Sequence, residues 1–211
     1  MGSEKRSARK AILIEIATRV LADEGPENFS MNRVAAAAGM RLSGLQYYFA
    51  TKNTLIHGML VDILYKDRAA IGAALHNDSS NPRDKLEKAI DIYARNCEDI
   101  VVNKVVLYFW MIALYDDEIM RYLDEWYIEY IQLFSDIIKA ANPSIDQGTL
   151  THISAMILAL IDGTAIMING GPIRQRALGG FLNTVKELIL NLAINTERRP
   201  DGAKISASGL P

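Results

Sequence analysis

The sequence predicts an all-α protein in which a small helix-turn-helix domain precedes a larger helical body. Apolar residues recur at helical spacing, for example at Ile12, Ile16 and Val20 near the N-terminus. No stretch alternates apolar and polar residues in the way that a half-buried strand does. Hydrophobic residues make up 50% of the 211-residue chain, so a sizeable core can form.

Four helices are predicted in the N-terminal part of the chain. Gly25 and Pro26 end the first helix, and Gly39 ends the second. Ser30 and Thr51 are predicted N-caps, because their hydroxyls can accept hydrogen bonds from the free amides of a first helical turn. The predicted helices cover about residues 7–24, 31–38, 42–49 and 52–75.

The body is predicted to begin after the linker HNDSSNPRD at 76–84, which is rich in turn-forming residues. The acidic run YDDE at 115–118 fits the start of a helix, where the helix dipole favours acidic side chains. Residues 197–211 are predicted to form a disordered tail. Helices of the body are predicted at about 84–102, 104–113, 117–141, 147–169 and 174–195.

The charge distribution indicates which part of the chain would meet a polyanion. Up to His57 the chain holds eight Lys and Arg against five Asp and Glu, a net charge of +3. The remainder holds fifteen against twenty, a net charge of −5. A basic head on an acidic body favours nucleic-acid binding by the head alone.

Composition disfavours several function classes. The single cysteine, Cys97, excludes an internal disulfide and fits a reducing, cytoplasmic location. The N-terminus lacks a signal-peptide apolar core, and the longest apolar run, at 105–115, is too short to span a bilayer, so no membrane partner is expected. His57, His76 and His152 have no metal-ligand spacing. We therefore expect no enzyme, metal or cofactor, although an active site assembled from distant residues stays open.

The stretch AAAAGMRLSGLQYYFATK at 35–52 has the spacing of a helix-turn-helix. Ala35 is small where two helices would cross closely, and Gly39 can take the positive φ that the turn requires. Leu45 and Phe49 would anchor the second helix in the core. The alternative is an alanine-rich helix that merely ends at glycine, with the aromatics as ordinary core. The agreement of spacing, turn and polar face favours the helix-turn-helix.

The side chains left on the outer face of this motif suit contact with DNA. Gln46 can hydrogen-bond an adenine edge, and Arg41 can pair with guanine or phosphate. Tyr47 can direct its hydroxyl to a phosphate, and Lys52 combines a cation with the free amides of a helix start. The predicted DNA-binding residues are Ser30, Met31, Arg41, Leu42, Ser43, Gly44, Gln46, Tyr47, Tyr48, Thr51 and Lys52.

The segment FSMNRVAAAAGMRLSGLQYYFATKNTLI resembles the DNA-binding head of TetR-family transcriptional regulators. In that family two aromatic residues, a phenylalanine, two further residues and a lysine commonly follow the turn, as at 47–52 here. The resemblance is specific over about residues 9–60 and architectural over the rest of the chain. Arg41 stands where a small hydroxyl residue is common, and Gln46 where a tyrosine is common. The resemblance therefore implies DNA contact but no operator sequence.

The resemblance also implies a division into a DNA-binding domain at 7–57, with its helix-turn-helix at about 30–49, and an effector-binding and dimerisation domain at 58–196. It implies a homodimer on a pseudo-palindromic double-stranded DNA operator. Small residues four apart in helix 147–169 and an apolar face in helix 174–195 favour a four-helix interface; closing the monomer's own core is the alternative. The predicted interface residues are Thr151, Ala155, Ala159, Gly163, Phe181, Val185, Leu188 and Leu192.

The middle helices are predicted to hold a pocket for a small-molecule effector, either largely apolar or a quaternary amine. The segment LALIDGTAI around Asp162 resembles the body of the BetI-like branch, which includes choline-responsive repressors. Aromatic side chains beside an acid suit a quaternary ammonium through cation–π attraction, although aromatics at helical spacing also fill ordinary cores. The predicted pocket residues are Tyr93, Phe109, Trp110, Met111, Trp126, Tyr127, Tyr130, Phe134 and Asp162.

These patterns together predict a ligand-responsive repressor that leaves its operator when a small molecule binds. Two alternatives stay open, an all-helical interaction protein and a DNA-binding regulator without a small-molecule effector. The sequence does not determine the effector, the operator, the regulated genes, or whether the protein represses or activates.

Overall fold

The structure, a computed structural model, describes residues 2–76, 80–169 and 171–195, and these residues contain helices and no strands. The all-α prediction is confirmed. The helices are α1 (Gly2–Glu24), α2 (Met31–Ala37), α3 (Leu42–Gln46), α4 (Lys52–Leu75), α5 (Pro82–Glu98), α6 (Ile100–Ala113), α7 (Asp117–Ala141), α8 (Gln147–Ile168), α9 (Pro172–Ala177) and α10 (Phe181–Asn195).

The head consists of α1, α2, α3 and the first turns of α4. The predicted caps are confirmed: the Ser30 hydroxyl accepts from the Arg33 amide at 3.2 Å, and the Thr51 hydroxyl accepts from the Thr54 amide at 3.1 Å. Gly39 has a φ of 64°, as the turn between α2 and α3 requires. The predicted core residues of the motif are buried, namely Ala35, Leu45 and Phe49.

The body is a bundle in which α5, α7 and α8 pack against one another and α4, α6 and α10 surround them. Its centre is aromatic, with Tyr93, Phe109, Tyr130 and Phe134 fully buried. Helix α4 runs without a break from the head into this bundle and packs on both α5 and α7. The head and body are therefore joined by one continuous helix.

Four predicted helix bounds in the first half of the chain are wrong, one of them the start of α6, which lies at Ile100 rather than at residue 104. Helix α1 begins at Gly2 rather than at residue 7. Helix α3 ends at Gln46 rather than at Phe49, and the two tyrosines that follow form a turn. The helix predicted at 84–102 ends at Glu98, because the Asp99 carboxylate caps α6 by accepting from the amides of the next turn.

The predicted last helix, at 174–195, is divided into α9 and α10. The division lies at Gly180, whose φ of 80° ends the helical path. The predicted helices at 117–141 and 147–169 agree with α7 and α8 to within one residue. The predicted disordered tail lies outside the described residues.

Helix α8 is the one described helix that is long and apolar enough, by length and composition, to cross a membrane. One side of it is buried in the bundle through Leu150, Ile157 and Ile161, as in a core helix. Less than half of its most apolar stretch is buried, however, and Met156 and Ile166 are exposed. The outer side of α8 is therefore an apolar surface that the described part of the chain does not cover.

Candidate nucleic-acid interface and body cavity

The segment that follows the turn of the helix-turn-helix presents a polar surface. Leu45 is fully buried and fixes α3 to the head, so the residues around it point outward. Arg41, Gln46 and Tyr47 are exposed, and Tyr47 is 65% exposed despite its large ring. Of the other predicted DNA-binding residues, Ser30, Ser43 and Thr51 are exposed, and Met31, Leu42, Gly44, Tyr48 and Lys52 are half-buried.

Gly44 has a packing role that the sequence did not indicate. A Cβ at this position would lie 3.0 Å from the terminal methyl carbon of Met40. Because Gly44 has no side chain, Met40 can pack back over α3. The same lack of a side chain also keeps the outer surface of α3 free of bulk at this position.

Lys52 lies at the junction of head and body rather than beside Gln46. Its Nζ is 5.2 Å from the centroid of the Phe29 ring and 5.8 Å from that of Tyr108, a cation–π arrangement between two rings. Phe29 belongs to the head and Tyr108 to α6, and the two rings meet edge to face at 5.9 Å. A phosphate contact by Lys52 stays a prediction, and the structure adds a second role at this junction.

Two basic residues that were not predicted as DNA-binding lie against residues 41–49, the predicted recognition segment. The Arg6 guanidinium carbon is 5.0 Å from the centroid of the Tyr47 ring, and the Lys10 Nζ is 5.5 Å from that of Phe49. The signal that could have found them is the basic run EKRSARK at 4–10. The predicted start of α1 at residue 7 divides this run, so the run did not stand out as one side of a helix.

A polar cluster joins the start of α4 to the start of α7. The Asn53 amide donates to Asp116 Oδ2 at 3.1 Å and to Glu118 Oε2 at 2.7 Å. The Asn53 hydrogen bond, followed by that from Tyr122, lowers the pKa of Glu118, and the Ile119 amide contributes most to the lowered pKa of Asp116. The sequence predicts these carboxylates only as part of a helix start. They also hold the first turn of α4, which directly follows the predicted DNA-binding segment.

A cavity of about 50 Å³ lies in the body between α5, α6, α7 and α8. Such a volume holds only one or two water molecules. Four of the predicted pocket residues line it: Tyr93, Trp110, Trp126 and Asp162. Its remaining wall is largely aliphatic and consists of Val102, Asn103, Val106, Leu107, Ile161, Ala165 and Ile166.

Asp162 is the anionic group of this cavity. Its two oxygens accept hydrogen bonds from the hydroxyls of Tyr93, at 2.9 Å, and Tyr127, at 2.6 Å. The indole N–H of Trp110 donates in turn to the Tyr127 oxygen at 2.9 Å. Burial raises the pKa of Asp162, and the two phenol hydrogen bonds oppose that shift. Among the described residues no lysine or arginine forms an ion pair with Asp162.

Trp126 forms another part of the wall. It is 4% exposed and meets the rings of Tyr127 and Tyr130 edge to face, each at 4.9 Å. Its Nε1 has no hydrogen-bond partner within the described part of the chain. An indole N–H that is buried without an acceptor is unfavourable, so this donor is available to a ligand oxygen.

The other predicted pocket residues lie elsewhere. Phe109, Tyr130 and Phe134 belong to the fully buried core. Met111 lines a separate groove against the end of α1. The Tyr130 hydroxyl donates to Asp67 Oδ2 at 2.5 Å, so this core residue ties α7 to α4.

The predicted interface residues lie mostly on the outer side of α8 and α10. Thr151, Ala159, Gly163 and Leu188 are exposed. Ala155, Phe181 and Leu192 are half-buried. Val185 is 6% exposed and packs inside the chain's own core, so it offers little surface to a second copy.

Comparison with known proteins agrees with this geometry. Residues 13–59 match the family model for bacterial regulatory proteins of the tetR family. An uncharacterised HTH-type transcriptional regulator from the dhlA 5′ region of Xanthobacter autotrophicus is 22% identical over 198 residues, which span 92% of this chain and 93% of that protein. The HTH-type transcriptional regulator BetI of Stenotrophomonas maltophilia is 25% identical over 185 residues, 84% of this chain and 86% of its own.

A solved structure shows the same fold at full length. The putative transcriptional regulator from Saccharomonospora viridis in complex with choline has a TM-score of 0.69 at 18% identity. The match covers 91% of this chain and all of that one. Residues 13–59 thus match the tetR-family model, and the similarities over the rest of the chain support a transcriptional regulator of that family.

Proposed function

We propose that this TetR-family regulator is a repressor that binds a pseudo-palindromic operator as a homodimer and is released by a small organic cation. The observation that carries the proposal is the path of α4. This helix begins directly after the exposed recognition segment and packs deep in the body against α5 and α7, two of the helices that line the cavity. A ligand that moves the cavity wall can therefore move the head.

The surface around α3 supports DNA binding by the head. Arg41, Gln46 and Tyr47 are exposed together on a short helix that is anchored by the buried Leu45. Their donors and acceptors suit base edges and phosphates in a major groove. The net positive charge of the head adds an electrostatic attraction to the phosphate backbone, which is independent of the DNA sequence.

The outer side of α8 supports the homodimer. The apolar residues Met156 and Ile166 are exposed there, next to the small residues Ala159 and Gly163, and Leu188 is exposed on α10. A second copy would cover these side chains, and the small residues would let the helices approach closely. Two heads held in this way would meet two half-sites of one operator.

Asp162 supports a cationic effector. A half-buried carboxylate that has no cationic neighbour among the described residues is an unfavourable arrangement, which a positively charged ligand would relieve. Trp110 and Trp126 provide ring faces or edges beside it, and aromatic walls attract an ammonium group. Choline serves as a probe, since its trimethylammonium head suits the carboxylate and rings and its hydroxyl suits the Trp126 N–H. The choline-bound relative of like fold is consistent with this choice.

The size of the cavity links ligand binding to release from DNA. The space of about 50 Å³ is small for choline, so we expect the walls to separate as choline enters. A ligand that binds only the widened body shifts the protein toward that state. Repression ends if the widened state holds the two heads at a spacing that does not fit the operator.

The test begins with selection of an operator by the wild-type chain from random double-stranded DNA, followed by titration with choline. We expect choline to weaken operator binding and to change the fluorescence of the two tryptophans, both of which line the cavity. The matched control is 3,3-dimethylbutan-1-ol, which has the shape of choline without its charge. If the neutral compound releases DNA equally well, the effector is apolar; if neither binds, the regulator without an effector is the better description.

Operator recognition is tested at Gln46. Replacing Gln46 with Ala should relax the preference at one base pair and cost about 1–3 kcal/mol there, because one base-edge contact is lost. Binding to random DNA should change little. A variant that keeps the full wild-type preference at every position would show that Gln46 reads no base.

A further inference from the structure

We propose that the first two turns of α1 belong to the DNA-binding surface and that Arg6 and Lys10 contact the phosphate backbone beside the recognition segment. The inference rests on the proposed DNA binding by the head. It extends the DNA-binding surface predicted from the helix-turn-helix to a second helix. It also gives a partner, the phosphodiester backbone, to a segment for which no motif indicated one.

The argument starts from the faces of α1. Arg6, Lys10, Leu13 and Ala17 follow one another at intervals of four, three and four residues and so share one side of the helix. Leu13 and Ala17 are fully buried in the head. The side of α1 that packs on the head therefore continues toward the N-terminus as a basic side.

The helix carries these residues beyond the core of the head. Arg6 precedes Leu13 by seven residues, which is about 10 Å along a helix. Helix α1 is continuous from Gly2 to Glu24, so its start is held by the packing of its remaining turns. Apolar side chains would be expected on this side if it simply extended the core.

The contacts place this basic side next to the recognition segment. The Arg6 guanidinium lies over the ring of Tyr47, which is 65% exposed, and the Lys10 ammonium lies over the ring of Phe49. Gln46 and Tyr47 line the same groove as Lys10. A duplex that meets Tyr47 and Gln46 must therefore pass close to both cations.

The local charge favours a polyanion at this position. Residues 4–10 hold four basic side chains, Lys5, Arg6, Arg9 and Lys10, against one acidic side chain, Glu4, a net charge of +3. The ring of Tyr47 holds the flat guanidinium of Arg6 in place, and a guanidinium can donate two hydrogen bonds to one phosphate. Phosphate contacts of this kind position a protein on any sequence.

The experiment measures the salt dependence of DNA binding for the full-length chain and the variants R6Q, K10Q and R6Q/K10Q. The probes are a random-sequence duplex and the operator selected by the wild type. The control is R19Q, which also removes one cation from α1, but from an exposed pair with Glu15 at 2.6 Å. Circular dichroism shows whether each variant is folded. If the double variant does not fold, the R6Q variant alone provides the test, because Arg6 is exposed and its replacement should not disturb the core.

We expect the slope of log binding constant against log salt to fall by about 0.9 for each cation removed from a bound head. A single variant should therefore lose about 0.9 on the random duplex, where one head binds, and about 1.8 on the operator, where both heads bind, and the double variant about twice as much. Between 50 and 200 mM salt, each single variant should then lose about three- to fourfold less affinity than the wild type on the random duplex and about twelvefold less on the operator. Hydroxyl-radical footprints should also lose protection at the outer edge of each half-site. Slopes equal to those of the wild type and R19Q would overturn this inference alone, whereas a wild type that binds neither duplex would overturn the proposed function with it.

Discussion

Asp162 shows at the scale of single residues how burial prepares a binding group. Its carboxylate is held by two phenol hydroxyls, and burial raises its pKa, so the surroundings make the charge costly. A cation binds the ionised form. Choline affinity should therefore fall as the pH is lowered toward the raised pKa of Asp162 and level off well above it.

Replacing Asp162 with Asn tests this account, because the amide keeps the shape of the side chain and removes its charge. We expect choline binding, followed by tryptophan fluorescence, to weaken about tenfold or more and to lose its pH dependence. Binding of 3,3-dimethylbutan-1-ol serves as the control and should change with neither pH nor substitution. A variant with the choline affinity and pH profile of the wild type would place the cation elsewhere.

Single residues also show where the sequence could predict the site and where it could not. Gly39, Leu45 and Thr51 act locally, so their spacing alone predicted a turn, an anchor and a cap. Asp162 and Tyr93 are 69 residues apart, and no periodicity indicates that they share a hydrogen bond. Lys52 was assigned from its place at a helix start, but its ammonium lies between two rings, one of which comes from α6.

Among whole elements, long helices were predicted well and breaks between them poorly. A strong apolar periodicity sets α7 and a long apolar run sets α8, whereas one polar residue decides the division between α5 and α6. Asp99 ends one helix and caps the next, and the surrounding sequence is helical on both sides. The break at Gly180 was not predicted, because the apolar face of α10 fits one long helix at 174–195 as well as a divided one.

The outer side of α8 carries the prediction for assembly. Replacing Ala159 with Glu introduces a charge into the proposed interface, so we expect monomers in sedimentation experiments and weak operator binding, since two half-sites must be engaged together. Ala69 is also an exposed helical alanine but lies on α4, and its replacement with Glu is the control. A dimer that persists in the Ala159 variant would exclude this surface.

The link between α4 and α7 carries the prediction for coupling. The Tyr130 hydroxyl donates to Asp67 of α4, and its ring touches Trp126 at the cavity. Replacing Tyr130 with Phe removes only this hydrogen bond. We expect choline to bind nearly as before but to release less DNA, measured as the ratio of operator affinities without and with choline.

The control for this coupling is removal of another buried hydroxyl that does not touch α4. Ser135 of α7 shares a hydrogen bond with Ser154 of α8 at 2.9 Å, so Ser135→Ala costs a similar contact. For the Ser135→Ala variant, the ratio of operator affinities without and with choline should equal that of the wild type. Equal ratios in all three proteins would show that the Tyr130 contact stabilises the bundle without transmitting a signal.

At the scale of the whole molecule, head and body meet through several contacts besides α4. Lys104 of α6 donates to the Ala22 carbonyl at the end of α1 at 2.9 Å, and Asn53 bridges to Asp116 and Glu118 of the α7 start. Helix α6 also lines the cavity. We therefore expect a change in cavity width to reach the head along α6 and α7 as well as along α4.

This arrangement makes a prediction that involves no substitution. If choline and operator prefer different states of one dimer, each must weaken the binding of the other by the same factor, because the cycle of four states closes. The product of the two choline binding constants of the dimer, measured by tryptophan fluorescence, should therefore fall in the presence of saturating operator by the factor by which saturating choline lowers operator affinity. Random DNA that engages only one head at a time is the control and should lower choline affinity less, since it does not fix the spacing of the two heads. Unequal factors would mean that choline acts on DNA without passing through the protein's two states, and a factor of one would leave the cavity without a regulatory role.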